Sequence, residues 1–443
     1  MVETGACSHA SGKVNSVMDW AIKILFRTLR GLREGFLEVT MPDGERHQFG
    51  NASAELRAVV DVHNPRFFSR VLWGGNDAAG DAFVDGEWTS PDLVAVVRLA
   101  VRNLHHFEAA GSKLAWASHL LKRMAHRMNS NTVAGSKRNI AAHYDLSNAF
   151  FGLFLDEGMV YSSAIFPSAA ASLEDAQIEK IDRLCRRLRL SPGDRVLEIG
   201  TGWGAFALHA ARHYGCHITT TTISHEQHEY SAARFAAAGS IGSRIHLLEE
   251  DYRSLTGQFD KIVSIEMFEA VGLTHYDDFF TACNRLLKAD GVMAMQTITM
   301  NEQHFPEYVR KSDWIQRRIF PGGELASVSE IQRSLARCTG LGLTGLEDIG
   351  MHYAYTLLEW RRRFQAAAAD VRSLGFDEQF MRMWDYYLCY CEGAFRERYI
   401  STVQLVLAKV GTWRVLDGEP WGSSAVVRKA VNARAYMHSA RNW

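Results

Sequence analysis

A doubly wound, mostly parallel α/β sheet, preceded by a small α+β domain, is the fold this sequence predicts. Three observations carry it. From about residue 140 onward, short apolar runs alternate with helical patterns, which implies parallel strands covered by helices on both faces. One of these strand–helix junctions is rich in glycine. The first 115 residues have a different texture, a hairpin signal set among helical patterns.

The elements follow in order. A helix is expected near 15–33. "FLEVTMPDGERHQFG" (36–50) alternates on both sides of Pro42-Asp43-Gly44 and reads as a β-hairpin. "AELRAVVDV" is a strand, and "NPRFFSRVLW" and "SPDLVAVVRLAVRNL" are helices, the second capped by Ser90 with Pro91 in its first turn. Nothing in residues 1–115 looks catalytic, so the region reads as a unit for docking or assembly. Residues 116–140 form a basic helix and polar linker; Lys122, Arg123, Arg127, Lys137 and Arg138 have no nearby acids and suit anionic lipid head groups. Residues 141–443 carry the alternating pattern. Its strands are "DRVLEIG" (194–200), "HITTTTIS" (217–224), "RIHLLEED", "FDKIVSIEMF" and "GVMAMQTITM", and "YDDFFTACNRLLKADG" is the helix before the last of them.

Composition excludes several classes. With 443 residues, 47% hydrophobic and 22% charged, the chain is an ordinary globular protein. A formal charge of −1 gives no sign of a nucleic-acid partner. The seven scattered cysteines suit reduced thiols, and no metal-ligand spacing occurs. No apolar run is long enough to span a bilayer, and the N-terminus lacks signal-peptide order. A cytoplasmic protein, peripheral at the inner membrane surface, is therefore expected.

"VLEIGTGWGAF" holds Gly200, Gly202 and Gly204 between a strand and a helix, with Glu198 at the strand end. Glycine lets backbone approach a ligand in front of the helix N-terminus. The G-x-G-x-G spacing with a preceding acid is the usual S-adenosylmethionine (AdoMet) loop rather than the G-x-G-x-x-G of a dinucleotide site. Glu198 would face the ligand's amino group. The second strand ends without the acid that commonly holds ribose hydroxyls, which leaves Thr222, Ile223 and Gln227, while Asp251 and Tyr252 follow the third strand toward the adenine.

Ordered blocks then resemble the cyclopropane fatty acid synthase family, which includes the mycolic acid cyclopropane synthases. They are "HYDLSNAFFGLFLDEGMVYSSAIF" (143–166), "VLEIGTGWG", "TTISHEQ", "MFEAVG" (267–272), "IFPGGELASVSEI" (319–331), "HYAYTLLEWRRRF" (352–364) and "CEGAFRERYISTVQLVL" (391–407), with "DAFVDGEW" (81–88) extending the match. The resemblance implies a seven-stranded class I AdoMet methyltransferase sheet and C-methylation of unsaturated acyl chains in phospholipids at the membrane surface, with cyclopropane rings as the product. It also implies a homodimer and a bicarbonate ion that takes the proton.

Carried over residue by residue, the resemblance implies that Tyr161 and Ser162 lie near the cofactor, that Glu269 and Tyr353 belong to the reaction centre, that Ile298 offers its backbone carbonyl, and that Tyr144 lines the site. Three positions depart from the family: Ser163 for cysteine, Ala270 for histidine and Gln296 for histidine. An anion held by Ser163, Gln296 and Tyr353 is one expectation. Loss of that anion, with a methyl-branched or methylene product, is the alternative, and a non-catalytic lipid-binding protein is a minor one. Glu266 reads as a strand-end carboxylate satisfied by local donors. The aromatic stretch 383–400 reads as helical core, one face of which could line an acyl tunnel.

Overall fold

The computed structural model describes residues 8–111, 147–409 and 412. The basic segment around 116–139 and Tyr144 lie outside the described residues. Two sheets organise the chain. In the first, β1 (Phe36–Thr40) and β2 (Arg46–Gly50) form the hairpin around Pro42-Asp43-Gly44, β3 (Arg57–Val62) pairs parallel to β1, and the short β4 (Trp88–Thr89) pairs antiparallel to β3. Gly44 supplies the positive φ that the turn requires. The helix Leu93–Arg102 is capped by Asp92, whose carboxylate accepts from the Ala95 amide; Ser90 instead accepts from the Asp92 amide. Ser90 is therefore not the cap, because Asp92, two residues nearer, directly precedes the helix and reaches its third amide.

The second sheet has seven strands, β5 (Arg195–Ile199), β6 (His217–Thr221), β7 (Ile245–Leu248), β8 (Phe259–Ile265), β9 (Leu287–Met300), β10 (Leu341–Asp348) and β11 (Ile400–Lys409), in the order β10-β11-β9-β8-β5-β6-β7. Only β11 runs antiparallel to its neighbours. This is the class I methyltransferase arrangement. The central strands are buried on both faces, as Val196, Leu197, Ile262 and Val263 show. The helix expected over 276–291 stops at Leu286, and Leu287 opens β9. Leu287 is fully buried and in register with Phe259, so strand pairing wins over helical continuation. Among the described residues, no helix is long and apolar enough to cross a membrane.

The first sheet shares one core with the helices beside the seven-stranded sheet, whose own strands pack in separate clusters. The helix Arg66–Val84 lies against the short helix Trp314–Arg318, where Asp81 accepts from the Trp314 indole and the Arg318 guanidinium, both at 3.0 Å. The helix Leu93–Arg102 is tied to the second unit by Arg98 and Arg102, which donate to the two oxygens of Glu397 at 2.6 and 2.7 Å. Gly80 sits in this seam. In an open helix, glycine to alanine gains about 1 kcal/mol. Here the added methyl would lie 2.8 Å from the rings of both Trp314 and Tyr386, an overpacking that costs about 1–3 kcal/mol. Gly80→Ala is therefore expected to lower the thermal midpoint in calorimetry; a raised midpoint would show that the seam yields freely.

Candidate active site

The C-terminal ends of the parallel strands open on a cavity of about 350 Å³. Ligands bind at this edge in open α/β sheets. At one end of the cavity lie Glu198, Gly200, Gly202, Thr222, Ile223, Gln227, Asp251 and Tyr252. Gly202 has φ +53, and a Cβ there would meet open space, so its backbone is bare toward the cavity. Gly204 does not line the cavity. Its φ is +84 and a Cβ would come within 2.6 Å of the Phe235 ring, so glycine is required there for helix packing rather than for ligand approach. Thr222 donates to Gln227 Oε1 at 3.0 Å, which fixes the loop after β6 without an acid. The Asp251 carboxylate is held by Arg253 through two hydrogen bonds of 2.8 and 2.7 Å.

Glu198 is buried and accepts from the Thr220 hydroxyl at 2.6 Å. Burial pushes its carboxyl up to about 8. A cation brought beside it would reverse that shift. The bare Gly202 backbone and the buried acid together fit the amino-acid end of AdoMet.

The centre of the cavity holds a second and a third acid. Glu266 follows β8 directly with φ +48, a left-handed conformation that costs an ordinary residue roughly 1 kcal/mol or more. Its Oε1 accepts from the Ser163 amide at 2.9 Å and from Gln296 Nε2 at 2.8 Å, and its Oε2 accepts from the Tyr353 hydroxyl at 2.8 Å. Gln296 has no donor left for a ligand: Nε2 also reaches the Ser163 carbonyl at 3.2 Å, and Oε1 accepts from Gln404 at 2.9 Å. The Ser163 hydroxyl turns away to the Ala164 carbonyl. Ser163 and Gln296 therefore stand behind Glu266 and do not line the cavity, whereas Glu266, Glu269, Ile298 and Tyr353 do. The donors of Ser163, Gln296 and Tyr353, expected to hold an anion, converge here on a carboxylate of the chain itself.

Glu269 lies on the turn Phe268–Ala270. Its Oε1 accepts from the Ile298 amide at 2.5 Å and the Thr297 hydroxyl at 3.0 Å, so Ile298 offers its N–H to an acid of the chain. Its Oε2 is buried with no partner. Burial, and then the neighbouring Glu266 charge, push Glu269 up to about 8. Burial also raises Glu266, but Lys180 and the three donors hold its charged form. The two environments differ: the neighbouring charge adds to the rise of Glu269, whereas Lys180 and the donors oppose that of Glu266.

Lys180 has no solvent exposure, donates to the Ser162 hydroxyl at 2.6 Å, and is pushed down to about 8 by burial against the pull of Glu266, Asp156 and Glu198. Sequence reasoning missed it. The signal was present: Leu173, Ala176, Gln177, Lys180, Ile181 and Leu184 share the buried stripe of the helix Leu173–Leu188. The Tyr161 hydroxyl lies 2.9 Å from that of Tyr387. Tyr387, Tyr390, Cys391, Ala394 and Phe395 present one face of the helix Glu378–Arg396 to the cavity and make its far end apolar and aromatic.

Residues 132–405 match the family model described as mycolic acid cyclopropane synthetase. The tuberculostearic acid methyltransferase UfaA1 of Mycobacterium tuberculosis is 37% identical over 358 residues, 79% of this chain and 83% of that protein. The cyclopropane-fatty-acyl-phospholipid synthase of Escherichia coli K12 is 36% identical over 387 residues, 84% of this chain and 96% of that protein. Among solved structures, the mycolic acid cyclopropane synthase CmaA1 complexed with SAH and CTAB superposes with a TM-score of 0.57 at 35% identity, over 62% of this chain and 98% of that one.

Two expected outcomes follow from the buried charges. Folded Glu198 keeps its proton up to about 8, against an ordinary value of 4.5. The folded state therefore binds more protons than the unfolded one in that window, and stability falls as pH rises through it. Glu198→Gln should flatten the slope in urea titrations of ligand-free protein between those limits; an unchanged slope would mean that Glu198 is ionised in the empty site. Lys180→Met removes the charge that favours ionised Glu266, so the acid limb of the pH–rate profile should move up by about one unit. An unmoved limb would show that the lysine charge does not reach Glu266.

Proposed function

This chain belongs to the mycolic acid cyclopropane synthetase family, and from that premise we propose that it methylates the double bond of unsaturated acyl chains carried on phospholipids at the membrane surface, closing the added carbon into a cyclopropane ring. It is an AdoMet-dependent methyltransferase. The observation that carries the acyl reading is the joining of two unlike surfaces in one cavity: an acid and bare backbone at Glu198 and Gly202, and an aromatic and aliphatic chamber built by Ile315, Phe320, Tyr387 and Phe395, with Glu266 and Glu269 at the junction. An apolar chain suits the chamber, and its double bond would lie at the acids.

AdoMet supplies a methyl group bound to a positively charged sulfur. An alkene is a weak nucleophile, so the protein's main contribution is alignment. Glu198, Gly202 and Gln227 hold the donor end, and the chamber walls hold the chain. Glu266 and the aromatic faces of Tyr353 and Phe395 offer negative potential to a positive charge forming on the acyl carbon. The apolar walls keep water from that carbon. The Tyr353 hydroxyl stays protonated, because burial and the Glu266 charge push it well up, and so it continues to donate to the acid.

A second reading keeps the fold, the donor and the substrate but ends in a methyl-branched or methylene chain. It is favoured by the donors of Ser163, Gln296 and Tyr353 being committed to Glu266, a departure from the set that the ring-forming resemblance implies. One experiment tests both. The protein is expressed in a bacterium without its own synthase, fed methyl-labelled methionine, and its fatty methyl esters are analysed by mass spectrometry before and after hydrogenation. Labelled acyl chains are expected. A hydrogenation-resistant ring supports the first reading and a reducible or branched product the second, while unlabelled chains would overturn both.

A further inference from the structure

The residues present do not fit a free bicarbonate ion at the reaction centre. The Ser163 amide, the Gln296 amide and the Tyr353 hydroxyl all donate to Glu266, and the Ile298 amide donates to Glu269. The rest of the Gln296 side chain is used by Ser163 and Gln404. Each donor that an incoming anion would need is aimed at a carboxylate already there. A further anion would face two buried acids in surroundings that penalise unpaired charge.

The backbone points the same way. Glu266 is held at φ +48, a region where glycine is at ease and other residues are uncommon. Such an outlier persists when surrounding contacts over-determine it, and outliers of this kind gather at functional sites. Here the contacts come from three separate places: the loop at Ser163, β9 at Gln296 and the helix Gly350–Ala366 at Tyr353. The carboxylate they hold lines the same cavity as the acyl chamber.

We propose that Glu266 is the chain's own proton acceptor, a tethered carboxylate standing where an external anion would otherwise act. This rests on the acyl-methylation reading above. As the donor's C–S bond breaks, its methyl joins one alkene carbon through the alkene π pair, the sulfur leaves as a neutral thioether, and the neighbouring carbon becomes positive. A C–H bond then breaks. Its electron pair closes the ring, or forms the double bond of a branched product, and its proton goes to a Glu266 oxygen. The carboxylate becomes a neutral acid as the acyl chain becomes neutral. Glu269, beside it, is the protonated partner that lets a single charge reside on Glu266.

The test compares wild type, Glu266→Gly and Glu266→Gln in buffer stripped of carbon dioxide, with and without added bicarbonate or formate, using vesicles of unsaturated phospholipid and AdoMet. Wild type should methylate at the same rate with and without bicarbonate. Glu266→Gly, which relieves the left-handed backbone and so should fold, is expected to lose about 100-fold or more in rate and to recover at least about tenfold of it when bicarbonate or formate fills the vacated space. Glu266→Gln fills the space without a base and should lose as much with no recovery. A wild-type requirement for bicarbonate, or a Gln variant within about threefold of wild type, would overturn the proposal. Thermal melts give a readout that needs no lipid: bicarbonate should raise the midpoint of Glu266→Gly and leave wild type unmoved, and a raised wild-type midpoint would overturn it. If wild type methylates no lipid, the substrate reading has failed and the melts alone decide whether Glu266 occupies an anion's position. If the glycine variant does not fold, wild type and Glu266→Gln decide.

Discussion

Negative charge can sit in an apolar chamber only if donors and a counter-charge are supplied around it, and that constraint organises this protein's interior. Glu266 draws one donor from a loop, one from a central strand and one from a helix in the C-terminal part of the chain. Lys180 adds the opposite charge from a fourth element and is itself buried completely. Because each donor is on a different element, the carboxylate joins them as much as it is held by them. The second layer behind it, from Gln404 to Gln296, extends the same network to the antiparallel strand β11. Polar networks of this kind depend on their members being satisfied, and two buried atoms of this one have no hydrogen-bond partner: Glu269 Oε2, beside the reaction centre, and Gln404 Oε1, in the layer behind it. The first of these lies where chemistry is expected.

The parallel sheet explains why such a network can form. Its strands end at one edge, so loops from distant parts of the sequence meet there. Glu198, Thr222, Asp251, Glu266 and Ile298 come from five successive strand ends and line one cavity. The dry half of that cavity is added by helices outside the sheet, mainly Glu378–Arg396, whose aromatic residues serve as core on one side and as chamber wall on the other.

Much of this was legible in the sequence. The alternation of apolar runs and helical patterns identified β5, β6, β7, β8 and β9, and the glycine loop with Glu198 identified one half of the cavity. Side-chain direction was harder. Ser163 matters through its backbone amide, which no residue type reveals, and Gln296 faces inward because Gln404, over a hundred residues away, takes its carbonyl. Gly204 looked like its two neighbours, but it answers to the Phe235 ring, a tertiary contact. Glu266 read as a local strand-end acid because a glutamate at positive φ has no sequence signature; only the convergence of three long-range donors justifies it. Lys180 could have been found, since it is the one charged residue in the buried stripe of its helix. Ser90 and Asp92 are both good caps by type, and two residues of spacing decide between them.

The helix Trp314–Arg318 faces two ways. Ile315 and Gln316 line the cavity, while Trp314 and Arg318 bond to Asp81 of the N-terminal unit. The acyl chamber is therefore not the private property of the methyltransferase sheet. For anyone exchanging modules among such enzymes, the N-terminal unit is not a detachable adaptor: a transplant that brings a new first domain must bring its matching wall helix too, or the chamber inherits a side built for a different neighbour.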